Sequence, residues 1–307
     1  MKRRRLVIVR DPAGVRDLVG AARRSGRSIG FVPTMGALHE GHMSLVRLGR
    51  ERASYLVASI FVNPKQFGPR EDYGRYPRDE ARDAALLEDA GCDLLFAPSE
   101  RDIYSRDDRT RISVGMLDEF LCGASRPGHF DGVALIVAKL LNIVQPDEAF
   151  FGQKDAQQAV IIQRMAADLD FPVRIVVCPT VREADGLAMS SRNAYLSESE
   201  RGRAAALYEG LMEAREAIRN GERAPGAVKR IMVARLTRSE LAVDYAEVVD
   251  AATLRPVNGI DGLVLIAAAA RLGRTRLIDN IVLRVSPDGV EEAALEFPEW
   301  SRYGWKR

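Results

Sequence analysis

The sequence predicts an α/β protein: a Rossmann-like, doubly wound parallel sheet followed by a second, smaller α+β domain. Three observations predict it. Over the first 180 residues, short apolar runs alternate with helical patterns, as strand–helix–strand units require. The run Tyr55–Val62 is apolar and continuous enough for a strand buried on both faces. After Pro179 the order changes to two long helical stretches followed by β-rich segments.

The elements follow in order along the chain. Leu6–Val9 reads as a strand, and Pro12–Arg24 as a helix with proline at its first position. Gly30–Pro33 is the second strand, with a helix from about Gly41 to Arg52. After Tyr55–Val62 comes a helix over Asp79–Ala90, capped by Gly91, and then a strand at Leu94–Ala97. Gly132–Val144 is an apolar helix, Glu148–Phe151 a strand, Ala156–Leu169 a helix and Val173–Cys178 a strand. These place one domain over residues 1–180 and a smaller one over 181–307. The second carries helices at Glu198–Asn220 and Ala224–Arg238, then strands at Val243–Val249, Leu263–Ala268 and Thr275–Leu283. The closing EEAALEFPEWSRYGWKR has no assigned structure.

Composition narrows the function classes. Lys and Arg number 45 against 43 Asp and Glu, so no whole-molecule field favours nucleic acid or an anionic membrane. MKRRR at the start is a local basic cluster, and the apolar run after it stops within four residues, too short for a secretory h-region. No apolar run is long enough to cross a bilayer. Cys92, Cys122 and Cys178 are odd in number and far apart, which argues against a disulfide framework or thiolate metal site and suits the cytoplasm.

Chemistry concentrates at three turns. His39-Glu40-Gly41-His42 sits where a strand passes into a helix, with two of the three histidines on one side of the first turn. A helix N-terminus offers free N–H groups and the positive end of its dipole, both suited to phosphate, and Gly36 and Gly41 allow close approach of a ligand. From these residues alone, a metal half-site and an ordinary surface pair remain open, although HEGH lacks the zincin spacing and no third ligand stands out. Gly152-Gln153-Lys154-Asp155 closes another strand and opens another helix; it reads equally as a phosphate turn or a capped helix start. Met189-Ser190-Ser191-Arg192 offers two hydroxyls and a guanidinium, or simply a solvent loop.

Together with these turns, further motifs resemble the pantothenate synthetase (pantoate–β-alanine ligase) family of the nucleotidyltransferase superfamily. They are PTMGALHEGHMSL at Pro33–Leu45, SIFVNPKQF at Ser59–Phe67, YPR at Tyr76–Arg78 and RPGHFDGV at Arg126–Val133. FGQKDAQQ at Phe151–Gln158, MSSRNAYLS at Met189–Ser197 and ARLGRTRLIDN at Ala270–Asn280 complete the set. Beyond Asn280 the resemblance fades.

The resemblance implies ATP-dependent joining of (R)-pantoate to β-alanine through a bound pantoyl adenylate, giving pantothenate, AMP and pyrophosphate. ATP is the implied co-substrate, with Mg²⁺ held mainly through its phosphates and no protein metal site. It further implies that Met35, Gly36, Ala37 and Leu38, with Glu40 and Gly41, line the ATP site. His39 and His42 would contact phosphates, His42 as proton donor. Gly152, Gln153, Lys154 and Asp155 would hold the nucleotide, with Lys154 on phosphate and Asp155 near ribose. Val181, Met189, Ser190, Ser191 and Arg192 would cover adenine and phosphates from the second domain, a lid, with Arg192 needed for adenylation. Gln66 and Gln158 would hold pantoate; Asn63, Tyr76 and Arg126 would lie on the acceptor side. His129 is expected near the site or as a hydrogen-bonded structural residue. The implied partners are small molecules, with no nucleic acid and no membrane, and the chain is expected to form a homodimer. An adenylyltransferase that stops after transferring AMP, or attaches it to another acid, is the competing enzyme, disfavoured by VNPKQF and the two glutamines; a tRNA-binding or regulatory relative would need an anticodon-binding module or a basic face.

Overall fold

The computed structural model describes residues 5–69, 71–297 and 300. Most of the basic cluster at the start, and the end of the aromatic tail, lie outside them. Six strands form one parallel sheet: β1 (Val7–Val9), β2 (Ile29–Thr34), β3 (Tyr55–Ile60), β4 (Leu94–Phe96), β5 (Glu148–Gly152) and β6 (Arg174–Cys178). Their order in space is β1-β4-β3-β2-β5-β6. From β2 the chain proceeds outward one way, and from β5 the other, so the topological switch point lies between these two neighbours. Gly30 and Phe31 of β2 lie in register with Glu148 and Ala149 of β5.

Helices cover both faces: α1 (Pro12–Arg24), α2 (Glu40–Arg52), α3 (Glu80–Asp89), the short α4 (Glu100–Ile103) and α5 (Leu121–Ser125), α6 (His129–Val144) and α7 (Ala156–Asp168). Residue alternation along each strand divides the interior. Ile29, Phe31, Val57, Phe96 and Phe151 pack beneath α1, α6 and α7. Val32, Leu56, Ala58, Leu95 and Phe150 pack beneath α2 and α3. Burying each such large side chain contributes about 1.5–3 kcal/mol. Tyr55–Ile60 is buried along nearly its whole length, as its composition predicts, though the strand ends two residues before Val62.

Beyond β6 the predicted helix over 198–220 is two: α8 (Glu198–Ala204) and α9 (Ala206–Arg219). The backbone tightens at Ala205 (φ −59°, ψ −24°), values nearer a 3-10 turn, and the helix breaks there. Next come α10 (Pro225–Arg238) and an antiparallel sheet of β7 (Ala242–Asp250), β8 (Gly262–Leu272), β9 (Thr275–Ser286) and β10 (Gly289–Glu292), ordered β10-β9-β8-β7. All three expected strands are longer than their apolar runs suggest, and β10 runs into the start of the tail left unassigned.

One face of this second sheet packs on α9 and α10 through Val248, Val264, Ile266 and Leu283. On the other face Val249, Leu265, Ala267 and Val282 join the same apolar core as α6 and α7. Part of the tail also docks on the first unit. The Gln163 amide donates to the Leu295 carbonyl at 3.2 Å and accepts from the Phe297 N–H at 3.3 Å.

Candidate active site

The carboxyl ends of β2, β3, β5 and β6 open onto one cavity of about 220 Å³. This is the place where a doubly wound sheet presents its helix N-termini to a ligand. From the expected set, Met35, His39, Gly41, His42, Asn63, Gln66, Tyr76, Arg126, Gly152, Lys154, Asp155, Gln158, Val181, Met189, Ser190, Ser191 and Arg192 all line it. Gly36, Ala37, Leu38, Glu40 and Gln153 do not.

The physical reasons for those exceptions are local. Leu38 is in the core, 1% exposed. The Ala37 and Leu38 N–H groups donate to the two oxygens of Asp83, at 2.7 and 2.9 Å, and so face away from any ligand. Gly36 serves this turn: it sits at φ +81°, where a Cβ would lie 3.0 Å from Asp83 and Ile60. At Gly41 a Cβ would meet the His39 ring at 2.9 Å, so its missing side chain accommodates the imidazole rather than a ligand. Glu40 pairs with Arg47 on the outer face of α2. The Gln153 carbonyl accepts from the Asn280 amide.

The two imidazoles stand 4.1 Å apart, centroid to centroid. His39 Nδ1 accepts the Gly41 N–H at 3.1 Å, and His42 Nδ1 accepts the His39 N–H at 3.4 Å. An accepting Nδ1 leaves the proton of each neutral ring on Nε2, so both present an N–H donor. Burial, with Lys154 adding to it, lowers His39 to about 4. Burial and then the His39 ring lower His42 to about 3. Both are therefore neutral near pH 7.

The Lys154 ammonium lies 3.6 Å from Asp155. Burial opposes ionisation of Asp155, but Lys154 and Arg192 hold it below the usual carboxylate range. Asn280 on β9 fastens this turn from the second sheet, its amide donating to the carbonyls of Gln153 at 2.9 Å and Lys154 at 3.0 Å. Asp155 is the one acid among the described residues lining this cavity. No group of three or more His, Cys, Asp or Glu suited to a metal occurs among the described residues. Any divalent cation would therefore need most of its ligands from a bound polyphosphate and water.

A network behind Gln66 sets its orientation. Asn63, 1% exposed, donates to Gln66 Oε1 and the Gly132 carbonyl, each at 3.0 Å. It accepts from the Lys65 N–H and the Tyr104 hydroxyl, which uses all its hydrogen-bonding capacity within the protein. Asn63 thus acts through Gln66 rather than on a ligand. The Gln66 amide donates to Met35 Sδ at 3.1 Å. Gly132 permits the close packing behind this, since a Cβ there would lie 2.2 Å from the Lys65 carbonyl. His129 Nδ1 donates to the Gln66 carbonyl at 2.7 Å and its Nε2 accepts from Arg126 at 2.9 Å. Burial and Arg126 lower this ring to about 4, so it is a structural, hydrogen-bonded histidine at the cavity wall.

Two arginines of the expected set are held by acids that sequence reasoning missed. Arg126 makes two 2.7 Å bonds to Glu71, which outweigh burial and keep that carboxyl at about 2. Arg192 makes two 3.0 Å bonds to Asp72, which also lies below the usual carboxylate range. Tyr76 OH stands 3.3 Å from Ser191 Oγ, and Tyr195 OH donates to the Arg75 carbonyl at 3.2 Å. The segment Asp72–Tyr76 thus bonds directly to the loop Ser190–Tyr195. Thr180, beside Val181, was also missed; its hydroxyl has no partner and it lines the cavity. Asn280 ends the ARLGRTRLIDN motif, but nothing in its spacing points to a turn over a hundred residues away. Asp72 and Asp83 carry no sequence signal either.

Comparison with known proteins shows the family to which this chain is similar. A family model described as Pantoate-beta-alanine ligase matches residues 7–282. The pantothenate synthetase of Moorella thermoacetica is 53% identical over 275 residues, 89% of this chain and 97% of that one. That of Caldicellulosiruptor bescii is 50% identical over 279 residues, 91% of this chain and 99% of the relative. Among solved structures, a pantothenate synthetase from Thermus thermophilus superposes with a TM-score of 0.84 at 46% identity, covering 89% of this chain and 98% of the other. A pantoate-beta-alanine ligase from Francisella tularensis, complexed with beta-gamma ATP and beta-alanine, gives 0.75 at 32% identity, with coverage of 90% and 97%.

Proposed function

The chain belongs to the pantoate–β-alanine ligase family, and from that premise we propose that it condenses (R)-pantoate with β-alanine through a pantoyl adenylate. The observation that carries this reading is the convergence of two neutral imidazole donors, one ammonium and two glutamines on a single cavity. A carboxylate needs no base to become a nucleophile, so the first step calls for positioning and charge neutralisation. A pantoate carboxylate oxygen attacks the α-phosphorus of ATP; the bond to the bridging oxygen breaks, and pyrophosphate leaves with its electron pair. Gln66 and Gln158 hold pantoate as neutral amides that offer no rival nucleophile. Lys154, Ser190, Ser191 and Arg192 face the phosphates, and the neutral His39 and His42 rings each donate an Nε2–H hydrogen bond to the charge growing on the departing pyrophosphate, keeping their protons. Gly152 and Asp155 lie toward the ribose; Met35, Val181 and Met189 border the nucleotide. Mg²⁺ would travel with the triphosphate and neutralise its charge.

In the second step the β-alanine amine attacks the acyl carbon, AMP departs with the carbon–oxygen bonding pair, and the new amide nitrogen loses a proton. A mixed anhydride open to water would hydrolyse, so the site must be covered. Residues 1–180 bind ATP and pantoate, and 181–307 supply the cover through the loop Met189–Arg192. Tyr76 and Arg126 border the acceptor side. The enzyme is proposed to work in the cytoplasm as a homodimer, which light scattering tests against the 33.9 kDa chain.

The deciding experiment is isotope exchange between pyrophosphate and ATP. Exchange should require pantoate and proceed without β-alanine, and hydroxylamine should trap a pantoyl hydroxamate. Pantothenate made without any such exchange would refute the adenylate route, while exchange driven by another acid would refute the substrate.

A further inference from the structure

A second, larger cleft of about 570 Å³ adjoins the active-site cavity. The two share the side chains of Arg126, Lys154, Asp155, Ser190 and Arg192 as a common wall. Beyond that wall the cleft runs between the 3-10 turn Tyr73–Arg75, the Ser190–Tyr195 loop and the hairpin joining β8 to β9. Most of the cations around it are compensated: Arg192 by Asp72, Arg126 by Glu71 and Arg276 by Asp244. Arg75, Arg271 and Arg274 also line it, are exposed, and have no acid partner among the described residues.

We propose that this cleft is the binding and exit site for inorganic pyrophosphate, with Arg75, Arg271 and Arg274 as its ligands. The inference rests on the adenylating reaction above and adds a place for its first product. If the α-phosphorus is presented to the acid in the smaller cavity, the β- and γ-phosphates reach Lys154 and Arg192, which form the boundary with the cleft. A pyrophosphate displaced in line moves away from the acid and enters a space bordered by three uncompensated guanidinium groups. It carries about three negative charges near neutral pH, and guanidinium binds phosphate oxygens in a bidentate fork. Holding the leaving group there draws it off the adenylate and empties the phosphate wall before β-alanine reacts. The cleft is open to solvent, so the attraction is salt-sensitive and the anion can escape.

The test uses the full-length enzyme with inorganic pyrophosphate and Mg²⁺ as the probe. In Arg271→Gln/Arg274→Gln, pyrophosphate binding by titration calorimetry and its product inhibition should each weaken by about tenfold or more, as loss of two charge-assisted contacts requires. The KM for ATP should stay within about twofold, because ATP phosphates are held on the Lys154 side of the wall. Unchanged pyrophosphate affinity would overturn the proposal. So would a KM for ATP that rises by the same factor, since the arginines would then attract any anion. Arg75→Gln, on a separate element, gives the same readout should the hairpin variant not fold. Pantothenate formation by the wild-type enzyme is scored apart, so failure of the reaction and failure of the subsite are distinguishable.

Discussion

The Asp72 carboxylate and the Arg192 guanidinium face each other in a two-pronged contact, both hydrogen bonds 3.0 Å long. They come from different parts of the chain, the 3-10 turn after β3 and the loop after β6. The arginine proposed to grip phosphate is therefore already held by an internal anion, and a nucleotide bound as proposed would compete with Asp72 for it. Substitutions at the two ends of this pair should act in opposite directions. Asp72→Asn removes the competitor and should lower the KM for ATP by about threefold to tenfold, the worth of a partly solvated charge-assisted pair. Arg192→Ala should slow pyrophosphate release by about a hundredfold with circular dichroism unchanged. Wild-type release in that variant would refute its role.

The three histidines predict a dependence of stability on pH. His39, His42 and His129 stand at about 4, 3 and 4 in the folded protein, against about 6.5 in an unfolded chain. Below pH 6.5 the unfolded state takes up protons that the folded state refuses, so stability is full near pH 7 and falls as the pH drops. The urea midpoint should decline between pH 7 and pH 5, a window that lies above most carboxylate titration. His129→Gln should be less stable at pH 7 but lose less on acidification. A midpoint independent of pH across this range would contradict the three depressed values.

Asp83 should prove essential to the turn that carries the imidazoles. It is fully buried and accepts two backbone N–H groups, and burial raises its carboxyl above the ordinary value. Asp83→Ala leaves both donors unsatisfied and should cost about 2–4 kcal/mol, read from urea denaturation, with a matching loss of kcat. Asp83→Asn retains one acceptor and should fall between the two. Equal stability for all three would show that the turn holds without it.

Asn280 makes a sharper case, since its amide supplies both donors that hold the Gln153 and Lys154 carbonyls. Asn280→Asp places a carboxylate against two carbonyl oxygens. It should reduce kcat more than Asn280→Ala, by about tenfold or more, because repulsion is added to the lost bonds. If aspartate and alanine behave alike, the Lys154 turn is positioned from its own side only.

Much of the fold was legible because it is written locally. The apolar run of Tyr55–Ile60 and the proline opening α1 depend on neighbouring residues, and so do the turns at His39 and Lys154. The split at Ala205 was not, because alanines favour helix on either side and only backbone geometry breaks it. At the site, histidines, lysine and glutamines announce themselves by type. The residues that hold them do not: Asp83 acts on a turn some 45 positions away, and Asn280 on one 126 away. Loop acids such as Glu71 and Asp72 look like solvated charge until their arginines are seen.

The sharing of one interior by the two sheets has a thermodynamic consequence. Leu265, Ala267 and Val282 belong to the same apolar mass as the helices over the parallel strands. Neither half can melt without stripping the other of its packing. Scanning calorimetry should thus record one endotherm, with the van't Hoff enthalpy close to the calorimetric one, in a chain long enough to have shown two.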